Sequence, residues 1–128
     1  MTAQHGLSVK IKEGRITLDG VFGLPADPSG VVVFAHGSGS GRLSPRNNFV
    51  ARHLQQVGLA TLLLDLLTEE EADDRRKVFD IDLLADRLLL AKHWVETEER
   101  TRVLPIGYFG ASTGAGAALQ AAAREPSN

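Results

Sequence analysis

The chain has 128 residues, a length that suits one domain. Hydrophobic residues make up 43% of it and charged residues 23%, which predicts a globular protein with a buried core. The net charge of -2 gives no electrostatic reason to expect nucleic acid or an anionic membrane as a partner, and the absence of cysteine excludes disulfides, thiolate chemistry and a cysteine-based zinc site.

The ends of the chain and its apolar runs bear on localisation. The first ten residues lack the basic and apolar regions of a signal peptide. No apolar run approaches the roughly 18 residues of a membrane-spanning helix. We therefore expect a cytoplasmic protein with no membrane partner.

The first third of the chain predicts a hairpin followed by a buried strand. Apolar residues alternate at positions 7, 9 and 11, a turn falls at Glu13-Gly14, and the alternation resumes at positions 16 and 18, as in an antiparallel hairpin. The continuous apolar run 31–35 is typical of a parallel strand covered on both faces. A glycine-rich loop, HGSGSG, follows at residues 36–41.

The first helix is predicted from its start signals and its periodicity. Ser44 is a candidate N-cap, Pro45 occupies the favoured first helical position, and Gly58 is a natural stop. The residues that recur at helical spacing are Phe49, Val50, His53, Leu54 and Val57.

The rest of the chain repeats the alternation of strand and helix. Residues 60–65 and 103–109 read as buried strands, 68–77 as a charged and solvated loop, 80–98 as a long helix with one apolar face, and 113–124 as an alanine-rich helix packed closely on a sheet. This order predicts the α/β class. We expect one partial domain over residues 1–128, with a mostly parallel sheet, an N-terminal antiparallel hairpin, helices on both faces, and truncation after the last helix.

The segment GASTG at residues 110–114 fits the G-x-S-x-G pattern of a nucleophile elbow, with Ser112 at its centre. It falls between a predicted buried strand and a predicted helix, which is the context that the pattern requires. Glycines on either side leave the room that a tight, strained turn needs. The alternative is an ordinary glycine-rich turn without a catalytic role.

Candidate oxyanion donors come from two places in the chain. Acyl transfer places negative charge on the substrate oxygen, and two backbone N–H groups stabilise it. One is expected from Thr113, the residue after the nucleophile. The other is expected from the glycine-rich loop, from Ser38 or from its neighbour Gly37.

These segments together resemble the N-terminal half of α/β-hydrolases of the dienelactone-hydrolase-like group. The similarity covers residues 7–124 and rests on the hairpin, on VVVFAHGSGSG, SPRNNFVARHL, ATLLLDLL and GYFGASTGAGAAL, and on the helix at 80–98. It implies hydrolysis of an ester, lactone or related carbonyl substrate through an acyl-enzyme on Ser112, with no metal and no organic cofactor. Dienelactone hydrolases proper use a cysteine nucleophile, so the serine here leaves the particular substrate open.

The acid and the histidine of a triad are missing after the nucleophile. In this fold they follow the serine in chain order. Only Glu125 and no histidine lie beyond position 112, and all four histidines lie upstream, at His5, His36, His53 and His93. We expect each of these to have a surface or structural role, and therefore weak turnover or none from this chain alone.

Two other functions remain open. GSGSG after a strand, with Asp65 ending the next strand, could belong to a nucleotide-binding domain, although the spacing is not G-x-G-x-x-G. A non-catalytic α/β binding module is the other alternative, because the triad is incomplete. Arg42 and Arg46 could favour an anionic substrate or be solvated surface residues. Without later strands, 103–109 would be an exposed edge that invites self-association.

Overall fold

The computed structural model describes residues 6–35, 41–110 and 113–125. Its first two strands form the predicted hairpin. Strand β1 (Gly6–Glu13) pairs antiparallel with β2 (Ile16–Gly23) through a two-residue turn. Gly14 has a φ of 59°, a conformation that glycine adopts without steric cost at the first position of a tight hairpin turn.

Three further strands complete a mixed sheet. They are β3 (Gly30–Ala35), β4 (Leu59–Leu64) and β5 (Ile106–Gly110), and the strand order is β1-β2-β4-β3-β5. Strands β4 and β5 both pair parallel with β3, whereas β2 meets β4 antiparallel. Crossover helices connect the parallel strands, as the sequence predicts.

Helices cover both faces of the sheet. Helix α1 (Pro45–Gln56) packs on one face, where Phe34, Ala51 and Leu63 form a small buried cluster. Helices α4 (Ile81–Thr97) and α5 (Thr113–Arg124) cover the other face, where the larger part of the core lies. The predicted α/β class with a hairpin and helices on both faces is therefore confirmed.

Helix α1 begins as its sequence predicts but buries only part of the predicted apolar face. The Ser44 side chain accepts a hydrogen bond from the Asn47 backbone N–H over 3.3 Å, which satisfies one of the helix's free donors. The fully buried positions are Ala51 and Gln55, whereas Phe49 is 54% exposed. Gln55 tolerates burial because its Nε2 donates to the buried Thr61 hydroxyl over 2.7 Å.

The prediction of a charged loop over residues 68–77 is wrong. The segment contains two single-turn helices, α2 (Glu69–Ala72) and α3 (Arg75–Val78). A capping box starts α2: the Thr68 hydroxyl accepts from the Glu71 N–H over 3.2 Å, and the Glu71 carboxylate accepts from the Thr68 N–H over 3.0 Å. Asp74 caps α3 without a reciprocal bond: its Oδ1 accepts from the Arg76 N–H over 3.0 Å. Local caps therefore order a segment whose charge pattern predicts only solvation.

The last strand is shorter than predicted and is not buried on both faces. Residues 103–109 read as a buried strand, but β5 begins at Ile106, and Val103 is 83% exposed in the preceding turn. Pro105 has no N–H to give to a ladder, although its carbonyl accepts from the Val31 N–H over 2.9 Å. Strand β5 lies at one edge of the described sheet, next to β3, as the sequence analysis predicts for this strand.

Among the residues that the structure describes, no helix combines the length and the apolar character that a bilayer crossing requires.

Candidate active site

The two segments predicted to carry the catalytic groups leave the sheet side by side. Ala35, the last residue of β3, pairs with Gly110, the last residue of β5. Because the strands are parallel, the chain continues from both at the carboxyl edge, where open α/β sheets bind ligands. The predicted site residues Ser112, Ser38 and Gly37 lie outside the described residues, but the positions where their segments begin are therefore neighbours.

Strand β5 ends as near to helix α5, in the chain and in space, as a nucleophile elbow requires. Only residues 111 and 112 separate Gly110, where the strand ends, from Thr113, where the helix begins. A Cβ at position 110 would lie 2.7 Å from the Gly114 carbonyl oxygen and 2.9 Å from the Ala115 Cα. Both neighbours are backbone atoms, so only glycine lets the strand end pass this close to the first turn of the helix.

Thr113 stands at the first position of α5, as predicted. The first N–H groups of a helix have no partner within it and carry partial positive charge. The Thr113 hydroxyl is buried and has no hydrogen-bond partner among the described residues. The end of the helix that faces the elbow thus offers donors of the kind that an oxyanion needs.

A pair that the sequence analysis does not bring together lies at the same edge of the sheet. Asp65 follows β4, and its Oδ1 accepts from the Arg42 backbone N–H over 2.7 Å. Its Oδ2 pairs with the Arg42 guanidinium. The two residues are 23 positions apart, so no sequence periodicity could have linked them.

This pair bears on two of the alternatives. The Asp65 carboxylate is already engaged by Arg42, which leaves it poorly placed as the ribose-binding acid of a nucleotide site. The Arg42 guanidinium is likewise neutralised, whereas Arg46 is exposed at the start of α1. The geometry therefore gives no support to a nucleotide site or to an Arg42-bound anionic substrate.

The two histidines in the described ranges do not serve the elbow. His53 is exposed on the third turn of α1, with its Nδ1 3.0 Å from the Phe49 carbonyl oxygen. His93 lies on α4, with its Nε2 2.9 Å from Glu125 Oε1. His5 and His36 lie outside the described residues.

His93 and Glu125 form an acid–histidine pair in the wrong place for catalysis. Glu125 follows the last residue of α5, and the twelve residues of that helix span about 18 Å from Thr113. Hydrogen bonds from Lys92 and then His93 lower the pKa of Glu125. The pair instead ties the end of α5 to α4, on which Lys92 is almost fully buried.

A buried ion pair braces the segment that follows β4. The Arg87 guanidinium donates to both Glu71 carboxylate oxygens, each over 2.6 Å, and to the Leu66 carbonyl over 3.2 Å. The side chains of Arg87 and Glu71 are only 9% and 12% exposed. The Arg87 hydrogen bonds, opposed by burial and aided by Thr68, lower the pKa of Glu71 to about 2.

Comparison with known proteins shows that this arrangement matches the α/β-hydrolase fold. The chain matches the dienelactone hydrolase from Anabaena variabilis with 52% sequence identity and a TM-score of 0.90, over 96% of its own length and 59% of that chain. A carboxyl esterase from Bacillus coagulans matches with 22% identity and a TM-score of 0.68, over 92% of this chain and 39% of that one. The latter likeness concerns the fold alone.

Sequence comparison finds relatives of a different description. Proteins from two strains of Mycobacterium tuberculosis, provisionally named phosphoribosyl transferases, are 56% identical over 115 residues, which are 90% of this chain and 26% of each relative. The chain thus spans about a quarter of these proteins and under two thirds of the Anabaena enzyme. No family model matches the chain. The chain has the α/β-hydrolase fold, and the resemblance to the dienelactone-hydrolase-like group inferred from its motifs is confirmed.

Proposed function

We propose that this chain forms the nucleophile-bearing part of a serine hydrolase that acts on a small ester, lactone or related carbonyl compound. The observation that supports this most strongly is the strand–turn–helix at residues 106–124, with G-x-S-x-G at the turn and the close approach of Gly110 to α5. The 52% identity with the Anabaena dienelactone hydrolase supports the same reaction class. We place the protein in the cytoplasm.

The proposed reaction uses Ser112 as nucleophile. Its Oγ bonds to the substrate carbonyl carbon, the carbonyl electron pair moves to oxygen, and collapse of this oxyanion expels the alcohol with the serine proton. Water then cleaves the acyl-serine ester and releases the acid. Backbone N–H groups of Thr113 and of Ser38, with Gly37 as the near alternative, stabilise the oxyanion, each by roughly 3 kcal/mol.

The described residues of this chain supply no general base for Ser112. The two described histidines are engaged elsewhere, His53 on its own helix and His93 with Glu125 at the far end of α5. A serine hydroxyl without an adjacent base is a poor nucleophile. We therefore propose that the chain alone turns over slowly or not at all. Residual acceleration would come from the oxyanion donors.

The name of the mycobacterial relatives does not change this proposal. The matching segment makes up a quarter of each of those proteins, so the activity in their name need not reside in it. The carboxylate that the sequence suggests for a ribose, that of Asp65, is held by Arg42.

Edge strand β5 provides a surface for self-association. The edge of a sheet can pair with a strand of another chain, and Phe109 on this edge strand is 37% exposed. We propose that two copies pair through this edge. Light scattering across a concentration series tests the proposal, because a monomer at every concentration would contradict it.

Labelling with an active-serine phosphonate tests the hydrolase proposal. The purified chain is treated with the reagent and its intact mass measured, beside Ser112→Ala and beside Ser8→Ala, an exposed serine on β1. Circular dichroism confirms that each is folded. One slowly formed adduct on the wild type and on Ser8→Ala, lost in Ser112→Ala, is the expected result, because the oxyanion donors alone still accelerate attack on the reagent. No adduct on folded protein would mean that Ser112 is idle in this chain, either because the base belongs to a longer protein or because the chain is the non-catalytic binding module.

A further inference from the structure

We infer that Asp65 is a positioning residue that anchors the far end of the glycine-rich loop following β3, an inference that rests on the proposed hydrolase function. Asp65 directly follows β4, and its backbone N–H donates to the Asp19 carbonyl oxygen over 2.9 Å. The pairing of β2 with β4 therefore holds its backbone in place at the carboxyl edge of the sheet.

The Asp65 carboxylate binds the chain where the loop ends. Oδ1 accepts from the Arg42 backbone N–H over 2.7 Å, and Oδ2 pairs with the guanidinium of the same residue. Hydrogen bonds to an ionised carboxylate are roughly twice as strong as neutral ones. The two side chains are 30% and 29% exposed, so solvent screens the pair only in part.

The neighbours of Arg42 make the anchor specific. A Cβ at Gly41 would collide with Asp65 Oδ1, so a larger residue there would force the carboxylate to move. The Arg42 carbonyl accepts from Asn48 Nδ2 over 2.9 Å, and the Ser44 N–H donates to the Gly41 carbonyl over 3.0 Å. The loop exit is thereby joined both to the sheet and to the start of α1.

The loop entrance is held as well. Ala35 pairs with Gly110 beside the elbow, so the predicted oxyanion donors at positions 37 and 38 lie between two anchored ends. Oxyanion donors act only when they are preorganised at hydrogen-bonding distance, and a displacement of 1 Å can cost about 100-fold in rate. Asp65 would then influence the reaction through the backbone of Gly41 and Arg42, without touching the substrate.

Three variants separate this role from a general effect on folding. Asp65→Asn removes the charge at constant size. Arg42→Ala removes the guanidinium but keeps the backbone N–H that Oδ1 accepts. Asp73→Asn removes an equal charge at an exposed position after α2 and serves as the control. For each, hydrogen exchange of the peptide covering residues 36–44 and the phosphonate labelling rate of Ser112 are measured.

The expected result is faster exchange in the 36–44 peptide and roughly tenfold slower labelling for Asp65→Asn, a smaller effect for Arg42→Ala, and none for Asp73→Asn. Exchange of that peptide that is the same in Asp65→Asn as in the wild type would overturn the inference, and so would an unchanged labelling rate in Asp65→Asn when the wild type reacts. A wild type that does not react would instead count against residual hydrolase activity in this chain. Exchange of the 36–44 peptide would then decide alone whether Asp65 anchors the loop.

Discussion

The buried pair between Glu71 and Arg87 makes stability depend on pH in a way that can be calculated. The pKa of Glu71 is about 2 in the folded chain, against an ordinary value of 4.5. Each unit of difference corresponds to about 1.4 kcal/mol, so ionised Glu71 contributes about 3 kcal/mol to the free energy of unfolding at pH 7. Its side chain is only 12% exposed, so solvent screens this contribution little.

The direction in which stability changes with pH follows from the lowered pKa of Glu71. Because the folded pKa lies below the unfolded one, the contribution is complete above pH 4.5 and is lost as the pH falls toward 2. At pH 3 the unfolded chain is mostly protonated at this residue while the folded chain is mostly ionised. About 2 of the 3 kcal/mol should be gone by then.

Urea unfolding of the wild type and Glu71→Gln between pH 3 and pH 7 isolates this contribution, because all other carboxylates cancel in the difference. The wild type should exceed the variant by about 3 kcal/mol at pH 7, and the excess should shrink by about 2 kcal/mol at pH 3. Glu70→Gln, an exposed neighbour on α2, should show no such trend. A difference that does not change with pH would refute the reasoning.

Two further predictions concern close packing, and urea unfolding measures both. Gly110→Ala should destabilise the chain by about 1–3 kcal/mol, because its Cβ would meet backbone atoms of α5, whereas Gly107→Ala on the same strand meets nothing within 4 Å and should change stability by less than about 0.5 kcal/mol. Equal effects at the two positions would contradict the tight elbow. Phe22→Ala should cost about 3–5 kcal/mol, because this ring is fully buried edge-on against Trp94, whereas Phe49→Ala, at a 54% exposed position, should cost far less. A small loss of stability in Phe22→Ala would mean that the core rearranges to fill the cavity left by the ring.

Much of the fold could be predicted because its signals are local. Alternation and a glycine turn mark the hairpin, and Ser44-Pro45 marks the start of α1. The apolar spacing of residues 81–95 matches the buried face of α4. Each of these depends on residues within a few positions of one another, where backbone geometry alone decides which side chains share a face.

The errors arose where local signals compete. The run 103–109 is apolar throughout, yet the strand begins only after Pro105, and Val103 belongs to a turn. The charged segment 68–77 contains two helices because Thr68 and Asp74 cap them. Each N-cap stabilises its helix by about 1 kcal/mol. The density of charged residues in a segment does not reveal such caps.

The sequence by itself determined the class of fold, the alternation of the five strands with the three longer helices along the chain, and the candidate nucleophile at Ser112, because periodicity and the G-x-S-x-G pattern involve chain neighbours. Only the tertiary structure decided which distant residues meet. The pairing of Ala35 with Gly110, of Arg42 with Asp65 and of Glu71 with Arg87 spans 16 or more positions in each case. These contacts follow from the strand order and the packing of α4, which a one-dimensional pattern does not contain.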